Sequence, residues 1–417
     1  MRKLNRPHVY LPSLALGFAA AVSQYGCEPA PRPAAASSGV SMDVPAAAGS
    51  QSPNLAVGAD GTVALSWIEP DEGGHSLRYS VLEDATWSAP GSVARGDDWF
   101  VNWADFPSVV PISRSLWAAH WLVRQPSGGY AYDVFFSTSS DGATWAYPVK
   151  PHDDGTPTEH GFVTIFPYNS GVGLVWLDGR NMSREPSPGA ALAGMTLRSA
   201  TYSGELELAG ETVVDELVCD CCQTDVAITP RGAIAVYRDR TANEMRDVYA
   251  ARFADGAWQA GHPVAADGWN IDGCPVNGPV IEADGDQVAV AWFTAAGDEP
   301  KVRLARSADF GESFSAPVDI ADGEIFGRVG LAMLGNGDVA VSWLCKEGES
   351  RAQVCLRRVA ADDRHGPVQV LSGEQAVSPL SVPQLARSGD FLVAAWTVRD
   401  RSGSQIQSRR VAIDSLP

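Results

Sequence analysis

The sequence predicts an all-β fold, a β-propeller of four-stranded antiparallel blades, on three observations. The 417 residues include 41 glycines, 28 prolines and 13 tryptophans, a composition typical of many short strands joined by turns. An apolar strand ending in an aromatic residue recurs seven times, with 51 to 61 residues between successive aromatics. These aromatics are Trp67, Trp121, Trp176, Tyr237, Trp292, Trp343 and Trp396. Further short strands flank each copy, and four strands in a repeat of this length form one propeller blade.

Seven repeats predict seven blades, with six blades and one degenerate unit as the alternative. The last unit, residues 383–413, lacks an outer strand, and the segment from Val40 to Val44 has the pattern of the missing one. We therefore expect residues 40–417 to form one propeller whose ring is closed by an N-terminal strand, which hides the edges an open ring exposes.

The N-terminal residues predict export. Basic residues precede a short apolar run, so residues 1–26 read as a cleaved signal peptide and residues 27–39 as a tether rich in proline, alanine and serine. Cys27 follows the signal, which predicts a lipid-anchored envelope protein; ordinary secretion is the alternative. The net charge of −19 argues against nucleic-acid binding, because few cations are available to neutralise phosphates. We expect a monomer that meets a membrane only through a lipid on Cys27.

Turns between third and fourth strands carry a motif. Residues 307–314 read Ser-Ala-Asp-Phe-Gly-Glu-Ser-Phe, and residues 139–145 repeat the pattern with one residue deleted. An aspartate that caps backbone amides and a glycine at positive φ suit such a hairpin. The motif and the sevenfold repeat together resemble the bacterial sialidase-like, BNR-repeat (Asp-box) propellers. In that family the boxes lie on the face opposite the active site, three arginines hold the sugar carboxylate, a Tyr–Glu pair supplies the nucleophile and an aspartate is the acid.

The unusual residues of the sequence concentrate in the loops before first strands and after second strands, which share one end of the ring. We expect an anionic, carbohydrate-like ligand there, because guanidinium groups bind carboxylates bidentately and aromatic rings stack on sugars. The predicted ligand-binding residues are Arg180, Arg238, Arg240, Arg328, Trp99, Trp103, Trp269 and His160. The candidate catalytic acids are Asp98, Asp105 and Asp178. Salt bridges between blades, packed tryptophans and a structural histidine are the alternatives.

Departures from the family pattern leave the reaction open. The early Arg-Ile-Pro motif is absent, and no Tyr–Glu pair is evident in the sequence. Exo-sialidase activity, a non-catalytic binding propeller at the cell envelope and a cysteine-based metal or redox protein therefore all remain, and no cofactor is predicted.

Six cysteines follow Cys27. Cys345 and Cys355 flank one turn, which predicts a cross-strand disulfide. The other four are Cys219, Cys221, Cys222 and Cys274. They allow two disulfides in three pairings, or one disulfide and free thiols. A thiolate site for copper or zinc near His160 is the further alternative.

Overall fold

The computed structural model describes residues 39–182, 193–348, 351–373, 377–401 and 403–417. The predicted signal peptide, nearly all of the tether and Cys27 lie outside these residues. Among the described residues, no helix has the length and apolar character needed to cross a membrane.

Seven antiparallel sheets form the described chain, which confirms the predicted seven-bladed propeller. Blade 1 has β2 (Gln51–Val57), β3 (Val63–Asp71), β4 (Gly74–Glu83), β5 (Thr86–Trp87) and β6 (Gly91–Gly96). Blade 2 has β7 (Ser108–Ser113), β8 (Leu116–Arg124) and β9 (Tyr132–Ser139). Blade 3 has β10 (His160–Tyr168), β11 (Gly171–Asp178), β12 (Met195–Tyr202) and β13 (Leu208–Val218). Blade 4 has β14 (Asp225–Thr229), β15 (Gly232–Arg238), β16 (Val248–Ala254), β17 (Ala257–Trp258) and β18 (His262–Pro263).

The remaining blades complete the ring. Blade 5 has β19 (Val280–Asp284), β20 (Gln287–Thr294), β21 (Lys301–Ser307) and β22 (Val318–Asp322). Blade 6 has β23 (Ile325–Gly335), β24 (Asp338–Lys346), β25 (Ala352–Val359) and β26 (Gln369–Val370). Blade 7 has β27 (Gln384–Ser388), β28 (Phe391–Asp400), β29 (Gly403–Ala412) and β1 (Val40–Met42). Two short 3-10 helices, Ala296–Asp298 and Ile413–Ser415, are also present.

The outer edge of blade 2 departs from the four-strand plan. Only isolated bridges, Phe136 with Val149 and Ser139 with Trp145, stand where a fourth strand is expected. Pro148 and Pro151 flank Val149, and a proline has no backbone N–H to donate to a ladder. Continuous pairing is therefore interrupted at this edge.

The N-terminal strand closes the ring as predicted. β1 pairs antiparallel with β29, placing Val40 opposite Arg410 and Met42 opposite Ser408. The strand is three residues long, shorter than the predicted Val40 to Val44.

The repeated aromatic strands are the second strands of the blades, and they form the core. All eight positions of β11 are buried, which explains why such strands are almost entirely apolar. Trp67, Trp176 and Trp292 are 0% exposed, so each fills the space between neighbouring blades.

The turn motif forms the predicted hydrogen bonds. The Asp309 carboxylate accepts the amide of Ser313 at 3.0 Å and its hydroxyl at 2.6 Å. Gly311 has a φ of 75°, and its amide donates to the hydroxyl of Ser307. Phe314 is half-buried against the core.

The first strands surround a central channel with a volume of about 580 Å³. We call the end where first strands begin and second strands end the upper face. Near that end, β2, β10 and β23 each contain a bulge, and Ser52, Phe162 and Arg328 take φ values of 58°, 53° and 58° at these bulges. Bulges redirect side chains and are frequent beside functional sites.

Candidate functional site at the upper face

Three of the predicted site residues border open space around the channel. Arg328 and Asp105 line the channel itself. Trp103 lines a small adjoining pocket together with Phe106 and Arg399. The other predicted residues lie between blades, within ion pairs or on the outside of the upper face.

Arg328 holds a positive charge in the channel wall. Its backbone N–H donates to Oδ1 of Asn277 at 2.8 Å, and its Nη1 donates to the carbonyl of Val276. The guanidinium carbon lies 4.9 Å from the centre of the Trp103 ring. Burial lowers the pKa of Arg328 to about 10, so the group stays charged at neutral pH. Its buried Nε has no hydrogen-bond partner, and no described carboxylate forms a salt bridge with it.

Asp105 belongs to a buried carboxyl–phenol–carboxyl group. The Tyr132 hydroxyl lies 2.6 Å from Oδ2 of Asp105 and 2.8 Å from Oε1 of Glu159. A phenol has one hydrogen to donate, so one of the two carboxyls must itself be protonated to complete both bonds. Burial raises the pKa values of Asp105 and Glu159 to about 7, which agrees with a shared proton. Tyr132 is 0% exposed, so its hydroxyl does not reach the channel.

The contact between Tyr132 and Glu159 is not visible in the sequence because the two residues lie 27 positions apart, on the third strand of one blade and at the entrance to the next. The parallel bridge between Tyr132 and Glu159 brings them together. No local spacing signals such a contact, which arises only from the packing of blade 2 against blade 3.

Replacing Asp105 with asparagine is expected to flatten the dependence of stability on pH between about 4 and 7. The carboxyl of Asp105 has a pKa of about 7 in the folded protein and an ordinary value of 3.8. Between these values the folded state binds more protons than the unfolded state, so the free energy of unfolding falls as the pH rises. Asparagine can still accept the amide of Phe162 but does not titrate. Denaturant unfolding at several pH values measures the slope; an unchanged slope in the variant would contradict the raised pKa.

His160 is the centre of a buried ion network, which we call the histidine cluster. Its Nε2 lies 3.1 Å from Asp154, and its Nδ1 lies 3.2 Å from the carbonyl of Thr158. Which of these two oxygens accepts a hydrogen from the ring depends on the tautomer of His160. It stacks on His152 with the ring centres 3.9 Å apart. His160 is 0% exposed, so it serves packing and charge pairing rather than the predicted ligand contact.

The histidine cluster has metal-ligand residue types but not the geometry for a metal. The His152 and His160 rings are parallel to within 3°, so their lone pairs run side by side and cannot converge on one ion. The amide of Val134 also donates to Nε2 of His152 at 3.3 Å. On the other edge, the Arg180 guanidinium already supplies the cation between Asp178 and Asp154.

Arg180 and Asp178 neutralise each other. Nε and Nη2 of Arg180 each lie 2.7 Å from the carboxylate of Asp178, which is 0% exposed. The hydrogen bond from Arg180 and the charge of His160 hold the pKa of Asp178 low despite its burial. Neither residue faces the channel, so this pair corresponds to the predicted alternative of a structural salt bridge.

Arg238 joins blades 4 and 5. Its guanidinium donates to the backbone carbonyls of Asn277, Arg246 and Phe293 and lies 4.8 Å from the ring centre of Trp269. Arg238 is 1% exposed and Trp269 is 6% exposed, so neither is available to a ligand as predicted. Both side chains are packed between the blades instead of standing above them.

Arg240, Trp99 and Asp98 also lie away from the channel. Arg240 forms a double ion pair with Glu244 and Asp220. Trp99 is 5% exposed and stacks on Trp121, so it packs between blades 1 and 2. The side chain of Asp98 is exposed on the upper face and does not line the channel.

Inside the channel the structure reveals polar residues that the sequence analysis did not select. Asp225 and Glu282 lie on the first strands of blades 4 and 5. Burial raises the pKa of Asp225 to about 6 and that of Glu282 to about 8. The side-chain amide of Gln223, just before blade 4, donates to the carbonyl of Ala104, just before blade 2. The available signal was an acid on a first strand, Asp225 in β14 and Glu282 in β19.

All three sulfur pairs are disulfides. Cys345 bonds to Cys355 as predicted. The other four pair as Cys219 with Cys222 and Cys221 with Cys274, which selects one of the three pairings left open. The Sγ atoms of Cys219, Cys221 and Cys222 also lie within 4.8 Å of one another, so a thiolate metal site in the reduced chain stays a prediction.

Solved structures with similar architecture include hydrolases. A protein of unknown function from Dyadobacter fermentans is 14% identical over 90% of this chain and 98% of its own, with a TM-score of 0.49. The NanB sialidase from Streptococcus pneumoniae is 13% identical over 90% and 70%, with a TM-score of 0.46. The α-L-arabinofuranosidase Arb93A from Fusarium graminearum is 14% identical over 91% and 98%, with a TM-score of 0.48. Similarity at this level concerns the fold alone.

No protein-family model matches the chain, and no curated protein sequence does.

Proposed function

We propose that the protein binds an acidic carbohydrate at the upper mouth of its channel, with Arg328 as the residue that holds the ligand carboxylate. The observation that carries this proposal is the charged Arg328 guanidinium in the channel wall, which has an unpartnered Nε and no salt-bridged carboxylate. A half-buried cation without a counter-charge is costly, and an anionic ligand supplies that charge. The positive φ of Arg328 fixes this orientation at the expense of backbone strain.

Neighbouring groups support a sugar rather than a simple anion. The half-buried Trp103 ring lies between Arg328 and the pocket that Arg399 also lines. Arg399 donates to Gln51 at 2.8 Å. An indole offers a flat apolar face to a pyranose ring, and two guanidiniums beside it suit a carboxylate on that ring.

A second candidate function is hydrolysis of the bound glycoside, with Asp105 as the proton donor. Asp105 lines the channel, and its pKa of about 7 leaves a large fraction protonated at neutral pH. Tyr132 and Glu159 would position that carboxyl and exchange its proton.

Calorimetric titration of the wild-type protein with sialic acid, glucuronic acid and galacturonic acid, each beside a neutral sugar, tests binding. We expect Arg328→Ala to weaken binding of the acidic ligand about tenfold or more, the value of a charge-assisted hydrogen bond. Arg114→Ala is the matched control, because Arg114 is exposed in the turn between β7 and β8 on the opposite face. Equal affinity in wild type and Arg328→Ala, or no binding of any acidic sugar, would overturn the proposal.

Fluorogenic glycosides of the same sugars test hydrolysis. Turnover that is lost in Asp105→Asn, while that variant still binds the ligand, would support the second candidate. Binding without turnover across the panel would leave a carbohydrate-binding propeller and dismiss Asp105 as an acid catalyst.

We also propose that the propeller works outside the cytoplasm as a monomer, anchored through a lipid on Cys27. Three disulfides support an oxidising compartment. Mass spectrometry of the mature N-terminus tests the anchor, and a mature protein without an acylated Cys27 would overturn it.

A further inference from the structure

The two disulfides of the upper face differ sharply in their access to solvent. Cys219 and Cys222, in the loop before β14, are 1% and 2% exposed. Cys274, in the loop before β19, is exposed, and its partner Cys221 is half-buried. An external thiol can therefore reach the sulfur of Cys274, whereas the Cys219–Cys222 bond is shielded from it.

The same sulfurs lie close enough to exchange partners. The Sγ atoms of Cys219, Cys221 and Cys222 all lie within 4.8 Å of one another. Disulfides rearrange when a thiolate attacks a disulfide sulfur. A thiolate released at Cys221 would thus be next to both sulfurs of the buried bond.

Arg246 favours one direction for that exchange. It is 2% exposed, and its Nη1 lies 3.6 Å from Sγ of Cys219. A neighbouring guanidinium stabilises a thiolate, so Cys219 is the better leaving group of the buried disulfide. Asp220 and Glu244 neutralise the charges of Arg240 and Arg246. The Cys219 thiolate is therefore stabilised by the hydrogen bond from Arg246 and not by a net positive charge.

We propose that these four cysteines form a thiol–disulfide exchange site that accepts two electrons from an external dithiol. One thiolate of the dithiol attacks Sγ of Cys274, the Cys221–Cys274 bond breaks, and Cys221 leaves as a thiolate. The second thiol of the reductant then displaces Cys274. The dithiol ends as a disulfide, and the protein gains two thiols and the two protons that the dithiol gave up.

An internal step moves the reduced sulfur inward. The Cys221 thiolate attacks Sγ of Cys222, a Cys221–Cys222 bond forms, and Cys219 leaves as a thiolate beside Arg246. This step consumes no electrons, since one disulfide and one thiolate stand on each side. The reduced protein then has thiols at Cys274 and Cys219, and the covalent link between the loops of blades 4 and 5 is open.

Limited reduction of the intact protein tests the proposal. The folded protein is treated with one equivalent of dithiothreitol, quenched with acid and alkylated, and the labelled cysteines are mapped by peptide mass spectrometry. We expect label on Cys274 in nearly every reduced molecule, a second label shared between Cys219 and Cys221, and an intact Cys345–Cys355 bond as the internal control. Reduction of Cys345–Cys355 at the same rate would overturn the exchange site.

Two variants test the internal step. In Arg246→Gln we expect the second label to move several-fold toward Cys221, because the Cys219 thiolate loses its donor. In Cys274→Ser, which leaves Cys221 without its partner, we expect the free thiol to distribute between Cys221 and Cys219 without any reductant. A free thiol confined to Cys221 in Cys274→Ser would overturn the inward transfer, even if Arg246→Gln failed to fold.

Discussion

Replacing Arg238 with alanine is expected to lower the free energy of unfolding by about 4 kcal/mol, since loss of a buried charge-assisted network costs about 3–5 kcal/mol. The guanidinium donates to the carbonyls of Asn277, Arg246 and Phe293 and is 1% exposed. Its removal leaves these carbonyls without a donor and opens a cavity under Trp269. Denaturant unfolding of the wild type and the variant measures the loss, provided that the free energy of unfolding depends equally on denaturant concentration in the two.

Arg328→Ala is the matched control for this experiment. Both residues are arginines of the upper face, but Arg328 faces the channel and donates to fewer backbone carbonyls. We expect it to change stability by less than about 1 kcal/mol. Arg238→Lys should also be destabilised, because the single ammonium group of lysine cannot donate to all three carbonyls that the planar guanidinium reaches. A loss below 1 kcal/mol in Arg238→Ala would show that water satisfies these carbonyls.

Gly161→Ala is expected to destabilise the protein by about 3 kcal/mol, the upper part of the range for overpacking a buried site. A β-carbon at Gly161 would lie 1.9 Å from Oδ2 of Asp105 and 2.7 Å from the Tyr132 ring. Neither group can retreat easily, because each is held by the hydrogen bond that joins them. The same change should disturb the shared proton, so the pH dependence assigned to Asp105 should weaken.

Gly210→Ala is the control on the same blade, since the nearest atom to its added carbon is 3.9 Å away. We expect a change within about 0.5 kcal/mol there. Combining Gly161→Ala with Asp105→Ala should recover part of the loss, because the second change vacates the space that the first one needs. If the losses of stability caused by the two substitutions simply added, the clash between the new β-carbon and Asp105 would be contradicted.

The fold could be predicted because its strongest constraint repeats along the sequence. A second strand packed between two blades must be apolar throughout, and Trp176 or Trp292 at its end fills a space that occurs once per blade. The closure by Val40–Met42 followed from the count of strands in the last repeat. These features depend on periodicity, which needs no knowledge of distant contacts.

The site was predicted less well because loop position does not determine side-chain direction. Arg238 ends strand β15 at the upper face and Trp269 and Trp99 lie in loops there, yet all three side chains are buried between blades. Arg328 lines the channel at a bulge of β23 where its φ is positive. No sequence period signals such a bulge.

Contacts between blades were equally hidden. Tyr132 and Glu159 meet only because two blades pack side by side. The pairing of four cysteines was undetermined by spacing, and proximity in the folded loops decided it.

The short strand β1 also bears on how the chain folds. It pairs with β29, so the ring closes only when Val40 pairs with Arg410, which lies 370 positions later in the chain. Bringing such distant segments together costs roughly 5 kcal/mol in chain entropy, which blades formed earlier reduce by bringing the two ends close. Closure is therefore expected to be the last and slowest folding event. Until residues 403–412 emerge, the partly made ring exposes two unpaired edges, which makes an interrupted chain prone to aggregation.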